Sequence, residues 1–181
     1  MKSVLLPYFE NQCKSNSNIL PTDWFCDVNT SYLESDPKLL EYKNTYTENI
    51  IEFLSCINFP KCQIEVLDPW YNLYCKGQYQ EIHHHSYVPN TYFSAVHFLK
   101  YNPKFHKPLV VHNHNRVFTD MFTLGKSSNM NYWDSQHVID VEEGDIVIFP
   151  STLEHYVQPQ TTEEYRVTIS FNIKALPIST I

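Results

Sequence analysis

Beyond residue 61 the chain is built from short apolar stretches punctuated by turn formers: CQIEVLDPWYNLYC, YQEIHHH, TYFSAVHFLKY, LVVHN, HVIDV, DIVIFP, HYVQP and EYRVTISFNI. These stretches are rich in β-branched and aromatic residues, are bounded by Pro, Gly, Asn or Asp, and carry no helical period. The pattern predicts an antiparallel sandwich or barrel. Upstream the period changes. Asp36-Pro37 is a helix start, and Leu39, Tyr42, Tyr46, Ile50, Phe53 and Ile57 then recur every three or four positions. That spacing predicts one amphipathic helix over 37–57, stopped by Asn58-Phe59-Pro60. SVLLPYF near the start is expected to be a short strand or edge segment. The expected organisation is an N-terminal segment, 1–60, whose helix packs on the barrel, followed by the barrel itself, 61–181. The polar segment 112–135 holds few strand formers and is expected to be a long loop over one barrel mouth.

Composition narrows the function classes. At 181 residues there is room for one domain. The net charge is −7 and no two Lys or Arg are adjacent, which argues against bulk nucleic acid or an anionic membrane as partner. No apolar run approaches the roughly 18 residues of a membrane span, and the start lacks a secretory core. Five cysteines without a CxxC spacing fit free thiols in a reducing compartment, so the expected location is cytoplasmic. The three glycines are Gly77, Gly125 and Gly144, each expected where the backbone needs its freedom.

Two of those glycines precede histidines. In Gly77-Gln-Tyr-Gln-Glu-Ile-His83-His84-His85, strand alternation lets His83 and His85 point into the barrel while His84 points away. Two imidazoles on one strand, with a third ligand from another, suit Fe, Zn, Cu or Ni. The bland alternative is a solvated His-rich turn. Gly144-Asp-Ile-Val-Ile-Phe-Pro150 followed by Ser-Thr-Leu-Glu-His155 returns the chain to the barrel mouth and can supply that third imidazole. In Arg166-Val-Thr168-Ile-Ser170 the alternation puts Arg166, Thr168 and Ser170 on one face. A guanidinium aimed into a barrel is costly unless it meets an anion, and its planar fork suits a carboxylate. The competing reading pairs Arg166 with Glu163 or Glu164 at the surface.

Together, HxH on one strand, GD-apolar-FP-x4-H on a later one and Arg166-x-Thr168 resemble the 2-oxoglutarate/Fe(II) dioxygenases. YQEIHHH, SAVHFLK, EEGDIVIFPSTLEHYV and RVTISFNI more narrowly resemble a bacterial and phage group of 2-oxoglutarate oxygenases, over about residues 65–175. The resemblance implies a mainly β, double-stranded β-helix (jelly roll, cupin-like) with an N-terminal helical region. It implies Fe(II) held by His83, His85 and His155. It further implies 2-oxoglutarate gripped by Arg166 with Thr168 or Ser170, with Tyr74 or Tyr79 as a further donor. O2 and an unidentified substrate complete the set, and the outcome is hydroxylation of a C–H bond with decarboxylation of 2-oxoglutarate to succinate. The host of a viral protein would be bacterial, and a homodimer is compatible with the barrel edges and the helix.

Most of that superfamily has a carboxylate where this chain has His85, so either His85 or a carboxylate such as Glu81, which shares its parity, supplies the second ligand. Two other classes compete. A three-His cupin dioxygenase would need no 2-oxoglutarate and hence no Arg166 clamp; a non-catalytic jelly-roll binding module would keep only the scaffold. His112-Asn113-His114 is a second HxH without a Gly turn before it, and His97 is expected to be outward or satisfied in the core. Trp70, Tyr71 and Asn72 are candidates for the pocket wall, and Tyr132 and Trp133 for a lid.

Overall fold

The computed structural model describes residues 1–15, 25–32, 36–89, 91–112 and 136–178. The loop expected over 112–135 therefore falls almost wholly outside the described residues, as do Gly125, His114, Tyr132 and Trp133. The chain is mainly β. Two antiparallel sheets face each other as a double-stranded β-helix, with helices on the outer face of the larger one.

The larger sheet has six strands. Its order is β1 (Asn29–Thr30), β3 (Trp70–Tyr74), β10 (Arg166–Pro177), β5 (Thr91–Lys100) and β8 (Ile146–Pro150), with β2 (Cys62–Val66) paired to the far half of β10. The smaller sheet runs β4 (Gln80–His83), β9 (Glu154–Val157), β6 (Leu109–His112) and β7 (Gln136–Val138).

Alternation in the larger sheet sorts its residues into two layers. Val167, Ile169, Phe171 and Ile173 of β10, all fully buried, turn outward against the helices with Tyr71 and Leu73 of β3. Their neighbours Arg166, Thr168, Ser170 and Asn172 turn inward and are also buried. Burial on both faces explains why β3 shows no exposed position despite containing Asn72.

The N-terminal third differs from expectation in two places. SVLLPYF is not a strand but part of α1 (Lys2–Ser15), which holds despite Pro7. Leu5 and Phe9, one helical turn apart, are both fully buried, and Phe9 stacks on Tyr71 at 4.4 Å. Tertiary packing thus outweighs the backbone hydrogen bond that Pro removes. The helix expected over 37–57 is broken into α2 (Pro37–Leu40), a 3-10 turn (Lys43–Tyr46) and α3 (Thr47–Cys56). Asp36 caps α2 as expected, accepting from the Lys38 and Leu39 amides at 2.9 and 3.2 Å. Among the described residues no helix is long and apolar enough to cross a membrane. Cys26, Cys56, Cys62 and Cys75 are free thiols.

Candidate active site

A narrow, partly open cavity lies between the two sheets. At one end stand three imidazoles. His83 ends β4 and His155 lies in β9 as its register partner; His85, two residues beyond His83, is tied down by its own amide bonding to the Ser151 carbonyl at 2.8 Å. Gly77 and Gly144, at φ 84° and 97°, form the turns that lead into these segments, as the glycine count suggested. One ring nitrogen from each of His83, His85 and His155 lies within 4.8 Å of the other two.

The hydrogen bonds fix what these rings can do. His83 Nδ1 meets the Glu81 carbonyl at 2.9 Å, His155 Nδ1 meets the Leu153 carbonyl at 2.9 Å, and His85 Nδ1 meets Asn172 Oδ1 at 2.8 Å. All three partners can only accept, so each Nδ1 carries the hydrogen and each Nε2 keeps its lone pair. Burial lowers the pKa of all three rings, that of His85 to about 4, so they stay neutral at physiological pH. Converging neutral imidazoles, each steadied by an outer hydrogen bond at Nδ1, are the donor set of a transition-metal site.

At the other end lies Arg166, only 1% exposed. Its side chain is walled by aromatic rings: the guanidinium carbon is 4.9 Å from the Tyr74 ring centre, 5.3 Å from Phe98 and 5.9 Å from Tyr101. Among the described residues, none of its three guanidinium nitrogens has a hydrogen-bond partner in good geometry. Tyr74 is close enough to interact with the charge, yet its hydroxyl hydrogen goes to Gln80 Oε1 at 2.8 Å. Burial pushes the Tyr74 phenol up to about 12, so it remains a donor. The surface pairing of Arg166 with Glu163 or Glu164 does not occur; Glu163 instead takes Lys76 at 2.6 Å. Aromatic faces soften the cost of a buried cation but supply no acceptor. The pocket is built for an anion that brings its own oxygens.

Trp70, Asn72 and Tyr74 line the cavity, as do Thr168 and Ser170. Asn72 Nδ2 donates to Ser170 Oγ at 3.2 Å, while Asn72 Oδ1 is buried without a partner. Tyr71 and Tyr79 are not among the lining residues, since Tyr71 belongs to the outer layer. Glu81 also drops out. A register irregularity between Gln80 and His83 breaks strict alternation, so Gln80 lines the cavity with His83, and Glu81 is absent from both the lining and the imidazole cluster. His97 is satisfied by the Tyr46 hydroxyl at 3.1 Å on the helix side, as expected. His112 pairs with Glu154 at 2.8 Å, away from the three imidazoles.

Reasoning from the sequence missed Gln80, Ser94, Asn172 and His137. Asn172 continues the parity of Arg166, and extending that alternation by one more step would have found it. His137 emerges only from cross-strand register. His83, His155, Val111 and His137 are successive partners across β4, β9, β6 and β7, which puts an exposed imidazole on the cavity-side face of the sheet.

A family model described as "Putative 2OG-Fe(II) oxygenase" matches residues 68–172. No curated protein sequence matches the chain. In fold the chain is similar to a prolyl-4-hydroxylase from Pseudomonas putida, with a TM-score of 0.59, 13% identity and coverage of 96% of this chain and 85% of that one. HygX from Streptomyces hygroscopicus, solved with nickel and 2-oxoglutarate, gives a TM-score of 0.56 at 12% identity, covering 96% and 77%. SnoN, an alpha-ketoglutarate-dependent epimerase of nogalamycin biosynthesis, gives 0.64 at 12% identity, covering 99% and 75%.

Proposed function

Because the chain belongs to the 2OG-Fe(II) oxygenase family, whose members use Fe(II), 2-oxoglutarate and O2, we propose that it hydroxylates a substrate C–H bond with His83, His85 and His155 holding the iron. Arg166 binds the distal carboxylate of 2-oxoglutarate, with Thr168 and Ser170 beside it on β10 and the Tyr74 hydroxyl close by. Iron, when bound, supplies the redox chemistry by which one O2 oxidises 2-oxoglutarate to succinate and CO2 and delivers its second oxygen atom to the substrate. The protein's share is placement. The imidazoles stay neutral and present Nε2 to the metal, the clamp fixes the co-substrate at one end, and Trp70, Val96, Leu109 and Phe149 supply the apolar part of the cavity wall.

The observation that carries this reading is the buried Arg166 guanidinium, without a hydrogen-bonded acceptor among the described residues, in the same cavity as three imidazoles. It favours this reading over a three-His cupin dioxygenase, which has no 2-oxoglutarate to clamp and would need such an Arg only for a carboxylate on its own substrate. Anaerobic Fe(II) titration with and without 2-oxoglutarate tests it. A visible charge-transfer band should require both, and should vanish in Arg166→Ala and in His155→Ala. Iron binding without the band would favour the cupin chemistry, and absence of iron binding would remove the oxygenase reading altogether. Once a substrate is found, a product heavier by one oxygen atom would separate hydroxylation from an epimerisation, which leaves mass unchanged.

A further inference from the structure

The three imidazoles are not held alike. His83 and His155 each give the Nδ1 hydrogen to a backbone carbonyl two residues earlier, Glu81 and Leu153, an arrangement that no side-chain substitution can change. His85 is held by side chains alone. Its Nδ1 lies 2.8 Å from Asn172 Oδ1 and 3.2 Å from Ser94 Oγ, and Ser94 Oγ donates to the same Asn172 oxygen at 2.8 Å. Asn172 and Ser94 are register partners on β10 and β5, and both are almost wholly buried.

His85 is also the ligand that departs from the superfamily pattern, standing where a carboxylate is usual. A carboxylate presents lone pairs whichever way it turns. An imidazole does not: in its other tautomer the Nε2 carries hydrogen and cannot bind a metal. The substitution therefore requires an acceptor behind the ring. We infer that Asn172, backed by Ser94, is the positioning residue that locks His85 in its metal-binding tautomer, the device that makes a histidine usable at this position. The Ser94 hydroxyl occupies the second lone pair of Asn172 Oδ1 and keeps the amide turned with its oxygen, not its NH2, toward His85. This inference rests on the iron reading for its metal-binding half; its tautomer half concerns the metal-free protein.

The experiment follows that division. Long-range 1H–15N correlation spectra of the metal-free protein report the tautomer of each imidazole, and anaerobic titration with Fe(II), or with Co(II) as a coloured probe, reports metal affinity. Wild type should show His85 with hydrogen on Nδ1. Asn172→Ala should shift His85 toward the Nε2–H form and weaken metal binding by roughly 10- to 100-fold. Ser94→Ala should do the same to a lesser degree. Asn172→Asp, which keeps an acceptor oxygen and places a negative charge behind the ring, should restore the Nδ1–H tautomer and bind metal at least as tightly as wild type. If Asn172→Ala fails to fold, Ser94→Ala and Asn172→Asp decide the matter. An unchanged His85 tautomer with affinity within about twofold of wild type in the alanine variants would overturn the inference. So would an Asn172→Asp variant that behaves no better than Asn172→Ala. Wild type that binds no metal but shows the expected tautomers would instead sink the iron reading and leave the tautomer lock standing.

Discussion

The two ends of the cavity are satisfied in opposite ways. At the histidine end the Nδ1 of each ring has a protein acceptor, which leaves Nε2 as the nitrogen with a lone pair. At the arginine end the described residues offer aromatic faces and, beyond the nearby Tyr74 hydroxyl, no acceptor for the guanidinium. The first end is finished by the chain itself and waits for a single atom. The second is unfinished by several hydrogen bonds and, on the proposed function, takes a whole carboxylate. Orphaned buried donors are rare in folded proteins because each costs free energy. Where three of them occur on one guanidinium, they describe the missing ligand more closely than the residues that are satisfied.

That contrast can be broken most severely at the finished end. Removing a ligand, as in His155→Ala, should weaken Fe(II) binding by more than about a hundredfold, beyond the range typical of supporting residues; anaerobic titration checks it. At the unfinished end, Arg166→Met should weaken 2-oxoglutarate binding by several kcal/mol, on the order of a hundredfold or more, because a buried carboxylate loses its partner. The same substitution should leave the ligand-free protein as stable as wild type or more so, since it removes an unpaired buried charge. Urea denaturation without ligand measures this, and a loss of several kcal/mol there would mean that Arg166 has a structural partner after all.

A third test uses pH. The folded-state pKa of His85 is depressed to about 4 from the usual 6.5. The unfolded chain therefore takes up a proton as pH falls below about 6.5, while the folded one does not until about pH 4. The contribution to stability is complete above about 6.5 and is lost progressively down to about 4, roughly 3 kcal/mol from this ring, with His83 and His155 acting in the same direction. Metal-free His85→Gln should show a shallower slope of stability against pH across that window; an unchanged slope would contradict a neutral buried ring. The smallest effect belongs to the opposite layer of the sheet. Tyr46→Phe removes the hydroxyl bonded to His97, and should cost about 1 kcal/mol of stability while leaving Fe(II) and 2-oxoglutarate affinities unchanged.

How much of this could be seen in the sequence depended on whether strand alternation held. It held along β10, so Arg166, Thr168 and Ser170 were placed correctly on one face. It failed in β4, where the irregularity between Gln80 and His83 brought Gln80 inward and removed Glu81 as a candidate ligand. No local residue signals that irregularity, because it comes from fitting β4 against β9. Pro7 made α1 look like an extended segment, while the buried pair Leu5 and Phe9 that holds the helix is visible only once Tyr71 is known to lie beneath it. The break of the 37–57 helix likewise follows from packing. The orphaned state of Arg166 could be suspected from its hydroxyl-bearing neighbours, but only the structure shows that Glu163 is engaged elsewhere.

The position of β10 has a consequence for the order of events during synthesis. It is the latest strand in chain order, yet it lies in the interior of the larger sheet, paired with β2, β3 and β5. Every other described strand precedes Arg166–Pro177 in the chain, so until β10 is made the larger sheet lacks the strand that joins β3 to β5. Long-range pairings of this kind are slow to form and leave the nascent chain prone to association. The strand that closes the gap also carries the clamp and the residue behind His85. Completion of the core and completion of the cavity wall therefore depend on the same strand.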